Sequence, residues 1–283
     1  GNGNCRHRRR HPTPPRLPTI VDNGSTMTSQ KPRTYSAEGV VLRHHNFSEA
    51  DRIVTLLTAS RGLLRAVAKG ARKPNSKLGG QLDLVRRVSI SVRSGRTLDT
   101  ISQAETIESY QKLKVNLELM AKAFYLCELT EKFAVEDAPA AGVYRMLIDG
   151  LSLLESTAAP DLMIHWYEMR LLQMNGSQPQ IQRCVDCGND LEQEDHVFSP
   201  MRGGIACPSC RPSGSDTMLP ASVSTVKLLR FLQRAEASEI ERLRVGEDRS
   251  GRASAGNHCC GWEVGRKSSA GSHGHGLGFV PVV

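Results

Sequence analysis

Residues 52–68 read RIVTLLTASRGLLRAVA, and this stretch decides the fold class. Ile53, Val54, Leu56 and Leu57 give a short apolar run rich in β-branched residues. Ser60-Arg61-Gly62 supplies turn chemistry, and Leu63 to Ala68 returns as a second run. Two short strands joined by a tight turn follow from that pattern. Working outward, Glu38 to Arg43 is a strand on the N-terminal side. Leu82 to Val92 is another beyond it, with Leu84, Val88, Ile90 and Val92 on alternate positions. Arg93-Ser94-Gly95-Arg96 is a hairpin connection, and Leu98 to Ala104 is the fifth strand. Five short strands in about 70 residues predict a small barrel or sandwich. An OB-type barrel is the five-stranded solution that also binds oligonucleotides.

The charges of this block favour the same choice. From residue 61 to residue 77 stand Arg61, Arg65, Lys69, Arg72, Lys73 and Lys77, with no acidic residue among them. Lys69 to Lys77, KGARKPNSK, carries Gly, Pro and Asn-Ser breakers and is expected as a mobile basic loop that lies along a phosphate backbone. A solvated basic face is the plainer reading of the same residues. Phe47 is the one aromatic here suited to stacking on a base, and it is equally compatible with a core position. The chain as a whole has a formal net charge of +8 and a pI near 9.2, which favours an anionic partner: nucleic acid or an acidic membrane surface.

From Ser109 the apolar period lengthens to three and four residues. Leu113, Leu117, Met120, Phe124 and Cys127 read as one helical face, ended by Asp137-Ala138-Pro139. A second helix over 141–155 carries Val143, Leu147, Leu151 and Leu154. A third follows Pro160, with Leu162, Trp166, Met169 and Leu172, and stops at Asn175-Gly176. Cys127 reads as a buried small hydrophobe and His165 as a surface or core residue, not a ligand.

Cys184-Val-Asp-Cys187-Gly188 and Cys207-Pro-Ser-Cys210 are separated by 19 residues. Two C-x2-C pairs at this distance predict a closed, tetrahedral, structural zinc site. Four thiolates leave no open position at which water is activated, which argues against metal catalysis. Residues 195–199 and 203–206 are expected as the ribbon's strands, and Pro220-Ala221-Ser222 begins a helix with Val226, Leu229 and Leu232 on one face. Residues 238–245 start a further helix that breaks off.

The two ends differ from the middle. Residues 1–33 are basic and Pro-rich, without hydrophobic period, and are expected to be a disordered arm; Met27 would be a natural initiator. Residues 246–283 are expected to be a disordered Gly-rich tail of the kind a frameshift produces. Cys259, Cys260, His273 and His275 there lack a scaffold for a second metal site. No apolar run reaches the roughly 18 to 20 residues of a membrane span, and no secretory leader is evident. Eight cysteines without an export signal suggest reduced thiols and a cytoplasmic setting.

The expected fold class is therefore α+β: an N-terminal five-stranded OB-type β-barrel (34–107), then an α-helical domain (108–245) with an inserted four-cysteine zinc ribbon at 182–212. No P-loop, carboxylate cluster or Cys–His or Ser–His constellation points to an enzyme. The order of parts resembles one family. Residues 37–42 (AEGVVL), 48–58 (SEADRIVTLLT), Gly62-Leu63-Leu64 and 69–73 (KGARK), with later C-x2-C pairs beside helices, are similar to the bacterial RecO family of recombination mediators. The resemblance implies an OB-fold, a helical domain and a zinc finger. It implies binding of single- and double-stranded DNA, strand annealing, and loading of RecA together with RecR in DNA repair. Arg65, Lys69, Arg72, Lys73 and Lys77 would be DNA contacts, and the helical domain would meet the C-terminal tail of single-strand-binding protein. A nucleoid-associated cytoplasmic protein is implied. The alternatives are a zinc-ribbon interaction scaffold without annealing activity and an enzyme acting on nucleic acid.

Overall fold

A computed structural model describes residues 33–210 and 218–242, and the backbone alone of 261–264 and 279–282. Five strands, β1 (Thr34–Asn46), β2 (Arg52–Thr58), β3 (Gly62–Ala68), β4 (Arg87–Arg93) and β5 (Asp99–Glu108), close into a barrel in the order β1-β2-β3-β5-β4. Neighbours are antiparallel except β3 and β5, which run parallel and join the two halves of the barrel. Strands β2 and β3 are mostly apolar because the wall is covered on both sides, and of their residues only Arg65 is exposed. Val41, Val54, Leu56, Leu64 and Ile90 fill the barrel. Val40, Leu42, Leu57 and Leu63 look outward into a second core shared with the helices. A wall buried on both faces has no polar alternation to display.

The strand expected over Leu82 to Val92 begins only at Arg87. Just before the expected strand, Lys77–Gln81 forms a short helix, α1, capped by Ser76, whose Oγ accepts from the Gly79 amide at 3.2 Å. Val85 then adopts φ +58, a left-handed conformation that breaks a strand and is costly for a β-branched residue. The cost is offset by full burial of Val85 and by exchange of amide bonds between Val85, Arg86 and Val41 of β1.

Helices α2 (Gln111–Lys114), α3 (Leu117–Phe133), α4 (Ala141–Ser156) and α5 (Pro160–Met174) pack beside the barrel. The single face expected from Leu113 to Cys127 is divided in two. Asn116 caps a fresh helix, its Oδ1 accepting from the Glu118 and Leu119 amides. That cap resets the phase, so Leu117 is 87 % exposed and Phe124 40 %, while Ala123, Leu126, Cys127 and Leu129 form the buried face. On α4 and α5 the expected positions Leu147, Leu151, Leu154, Trp166, Met169 and Leu172 are buried. The α3–α4 connection is strapped to the barrel: Leu63 N donates to Val135 O and Ala140 N to Ala59 O.

The ribbon holds β6 (His196–Ser199) between β7 (Gly204–Ala206) and β8 (Leu219–Ala221). The third strand includes Pro220 and Ala221, expected from the sequence to cap the next helix together with Ser222; of the three, Ser222 is the cap. Helices α6 (Val223–Arg234), capped by Ser222, and α7 (Ala237–Arg242) follow, with Ile240 fully buried. Within 246–283, Gly261–Val264 (β9) and Phe279–Val282 (β10) pair as antiparallel strands. The remaining residues of both ends, Cys259, Cys260, His273 and His275 included, lie outside the described residues. Among the described residues, no helix is long and apolar enough to cross a membrane.

Candidate nucleic-acid interface and metal centre

The segment expected as a mobile loop is anchored throughout. Ala71 is buried against the barrel core, and three amide bonds within the segment (Ala71 to Ala68 O, Lys73 to Gly70 O, Ser76 to Lys73 O) fold it into successive turns. It is also joined to the β1–β2 turn. Arg72 N donates to Ala50 O at 3.0 Å, Arg72 Nη1 to Ser48 O at 2.5 Å, and Gly70 N to Asp51 Oδ1 at 2.8 Å. The β1–β2 turn is closed in its own right by Phe47 N to Asp51 O at 3.2 Å and Asp51 N to Ser48 Oγ at 3.0 Å. Two turns distant in sequence thus make one surface. Lys69, Arg72, Lys73 and Lys77 are all exposed on it. Among the described residues, none of the four has a carboxylate partner within ion-pair distance, whereas thirteen other pairs of side chains do, among them those of Arg43 and Arg65.

Arg61 and Arg65 lie elsewhere, at the joint with the helices. The Arg61 guanidinium sits 4.1 Å over the Tyr35 ring and 3.7 Å from Asp137. Arg65 Nε lies 3.0 Å from Glu136. The charge run from 61 to 77 is therefore divided, because its first two members meet carboxylates some seventy residues further along the chain. Gly62, between them, has φ +60, and a Cβ there would stand 2.3 Å from Val135 O. Only glycine lets the α3–α4 connection come so close. Glu38 belongs to the same joint. The Tyr144 hydroxyl donates to it, and burial is outweighed by that bond and by Arg87, so its carboxyl is held below the usual range.

Sequence reading had no means of finding the acceptors that hold the basic turn: Ser48 O, Ala50 O and the Asp51 carboxylate. Ser48-x-x-Asp51 is the one local signal, since a hydroxyl three residues before an acid commonly closes a turn.

In the ribbon, the sulfur atoms of Cys184, Cys187, Cys207 and Cys210 all lie within 4.8 Å of one another, with Cys187 and Cys207 at 4.0 Å. Four sulfurs about 2.3 Å from a shared tetrahedral ion would be roughly 3.8 Å apart, so the cluster fits. Gly188 at φ +74 lets the first knuckle close by Gly188 N to Cys184 O at 3.0 Å, and Cys210 N to Cys207 O closes the second. The amides of Asp186 and Cys207 point at Cys184 Sγ, at 3.5 and 3.4 Å. Burial opposes ionisation of Cys184, but these amides and that of Cys187 prevail and bring its thiol down to about 6. Cys210, hydrogen-bonded to Cys207 and Cys187, is pushed up to about 12. Four thiols this close ionise together only around a cation, which is the chemistry of a metal site. Cys127 stands apart in the helical core, its thiol pushed up to about 12 by burial.

Comparison with known proteins covers most of the chain. Residues 33–110 match the family model of the N-terminal part of recombination protein O, and residues 115–265 that of its C-terminal part. A DNA repair protein RecO of Dehalococcoides mccartyi is 35 % identical over 218 residues, 77 % of this chain and 85 % of its own. That of Symbiobacterium thermophilum is 37 % identical over 214 residues, 75 % of this chain and 84 % of its own. That of Roseiflexus is 36 % identical over 214 residues, 75 % of each.

Proposed function

This chain belongs to the RecO family of DNA repair proteins, and from that premise we propose that it is a non-catalytic DNA-binding recombination mediator. It binds single- and double-stranded DNA through the barrel, anneals complementary strands, and works with RecR to help RecA displace single-strand-binding protein. The tail of that protein is met by the helical domain, and the setting is the nucleoid in the cytoplasm. The observation that carries the reading is the anchored turn on which Lys69, Arg72, Lys73 and Lys77 are exposed and, among the described residues, have no carboxylate partner. Cations held on an anchored turn without a neutralising carboxylate are free to replace counterions along a phosphate backbone. Arg61 and Arg65, assigned to the same contact from sequence, have a weaker claim because carboxylates already meet them.

The four cysteines are assigned to one structural zinc ion. When bound, zinc supplies the positive charge that keeps the thiolates together; Cys184, Cys187, Cys207 and Cys210 hold it, and the small ribbon core (Ile181, Val197, Ile205, Val226) closes over one side. Elemental analysis of the purified protein should return one zinc per chain, and none would refute the assignment.

Binding of a labelled single strand over a salt series tests the main reading. Lys69→Ala, Lys73→Ala and Lys77→Ala combined should weaken binding about tenfold or more at low salt and lower the salt slope by about 2. Affinity and slope equal to those of the unaltered protein would refute it. Annealing of complementary strands, followed by loss of a fluorescent reporter for single strands, separates a mediator from a scaffold that binds without annealing.

A further inference from the structure

The β1–β2 turn, to which the lysine-bearing segment is joined, carries an unexplained aromatic side chain. Phe47 is 60 % exposed and belongs to none of the three apolar cores. It is also not on a floppy loop, since its own amide donates to Asp51 O and the following residue, Ser48, accepts from Arg72. An apolar ring held at the surface keeps its unfavourable contact with water, which burial would have relieved. A ligand with an apolar face would remove that penalty.

We propose that Phe47 stacks on one unpaired base of a single strand whose phosphates lie on Lys69, Lys73 and Lys77, so that this surface prefers single-stranded to duplex DNA. The inference rests on the DNA-binding reading of the same turn and adds the face of the nucleic acid that is read. Electrostatics orients the strand. Glu49, exposed beside Phe47, repels a phosphate from the tip of the β1–β2 turn. The Asp51 carboxylate is engaged by the Gly70 amide. Phosphates are thereby directed to the lysine side and bases to the ring. A duplex satisfies the lysines equally well, but its base faces are covered by their neighbours, so the ring gains nothing from it. Stacking is indifferent to base identity, so discrimination is between unpaired and paired strands, not between sequences.

The test compares affinities of the full-length protein for a labelled oligothymidylate and for a duplex of equal length. Phe47→Ala should weaken single-strand binding about tenfold, leave duplex binding within twofold, and leave both salt slopes unchanged. Phe124→Ala, an exposed aromatic on α3, should change neither. Phe47→Trp should keep single-strand affinity, and the emission it adds over the unaltered protein should be quenched by the oligothymidylate but not by the duplex. An unchanged ratio of single-strand to duplex affinity in Phe47→Ala overturns the inference, as does a tryptophan whose emission neither ligand alters. If the lysine variant loses binding while Phe47→Ala keeps the ratio, stacking alone is refuted. If the lysine variant keeps its binding, the turn is not the interface, and both readings fall.

Discussion

The barrel segment and the sequence that follows it carry the same number of positive residues and differ in their acids. Residues 33–107 hold thirteen Lys and Arg against six Asp and Glu, a net of +7. Residues 108–242 hold thirteen against nineteen, a net of −6. Excess acid on the helical side is used in part to hold the barrel: Glu131, Glu136 and Asp137 lie beside Arg43, Arg65 and Arg61. The contrast teaches that basic content does not mark a nucleic-acid surface; cations that remain after internal pairing do. On the barrel, among the described residues, the turn from Lys69 to Lys77 gathers four such exposed cations away from the joint, while Arg33, Arg93 and Arg96 are exposed elsewhere on it.

The comparison can be broken at several places. The largest effect is expected in the ribbon, where Cys184→Ser should abolish zinc binding and remove on the order of 5 kcal/mol of metal-linked stability. Calorimetry should show the ribbon melting early while DNA affinity measured at low temperature falls less than threefold. A ribbon that loses its metal and melts as before would mean that the apolar core alone sustains it. Gly62→Ala strikes the joint: its Cβ meets two backbone carbonyls, and a cost of about 2 to 3 kcal/mol should appear in urea unfolding. Arg61→Ala with Arg65→Ala removes partly exposed pairs and should cost about 1 kcal/mol or less. The salt slope of DNA binding should stay within about 0.5 of the unaltered protein, in contrast to the lysine variant. A slope reduced as far as in that variant would place both arginines on the DNA after all.

The smallest effect is on pH dependence. Glu38 has its folded pKa below the unfolded value, so its contribution is fully present above about pH 5 and is lost as pH falls through the folded pKa. Glu38→Gln should flatten the acid limb of a stability curve and leave neutral pH little changed. A limb as steep as before would assign acid sensitivity to other carboxylates.

Much of this was legible beforehand, for reasons specific to each element. Strands β2 and β3 were plain because two short, mostly apolar runs on either side of Ser60-Arg61-Gly62 have few other solutions. The cysteine spacing was plain because two C-x2-C turns need no long-range information to point sulfurs inward. The start of β4 was hidden, since the left-handed Val85 is sustained by β1 and by burial, neither of which is local. On α3 the expected positions Leu117 and Phe124 proved exposed because the side-chain cap at Asn116 starts a new helix, while Met120 and Cys127 do meet the core.

By itself, then, the sequence determined the barrel's strand set, the helical character of the middle and the thiol quartet, all properties of residue type and short spacing. Only the tertiary structure decided which cations are paired, that the basic segment is pinned to the β1–β2 turn, and that Phe47 faces solvent. The physical reason is that charge neutralisation and anchoring depend on distances between groups 19 to 88 residues apart. Residue pattern encodes how each segment folds but not which side chains those segments bring within reach of one another.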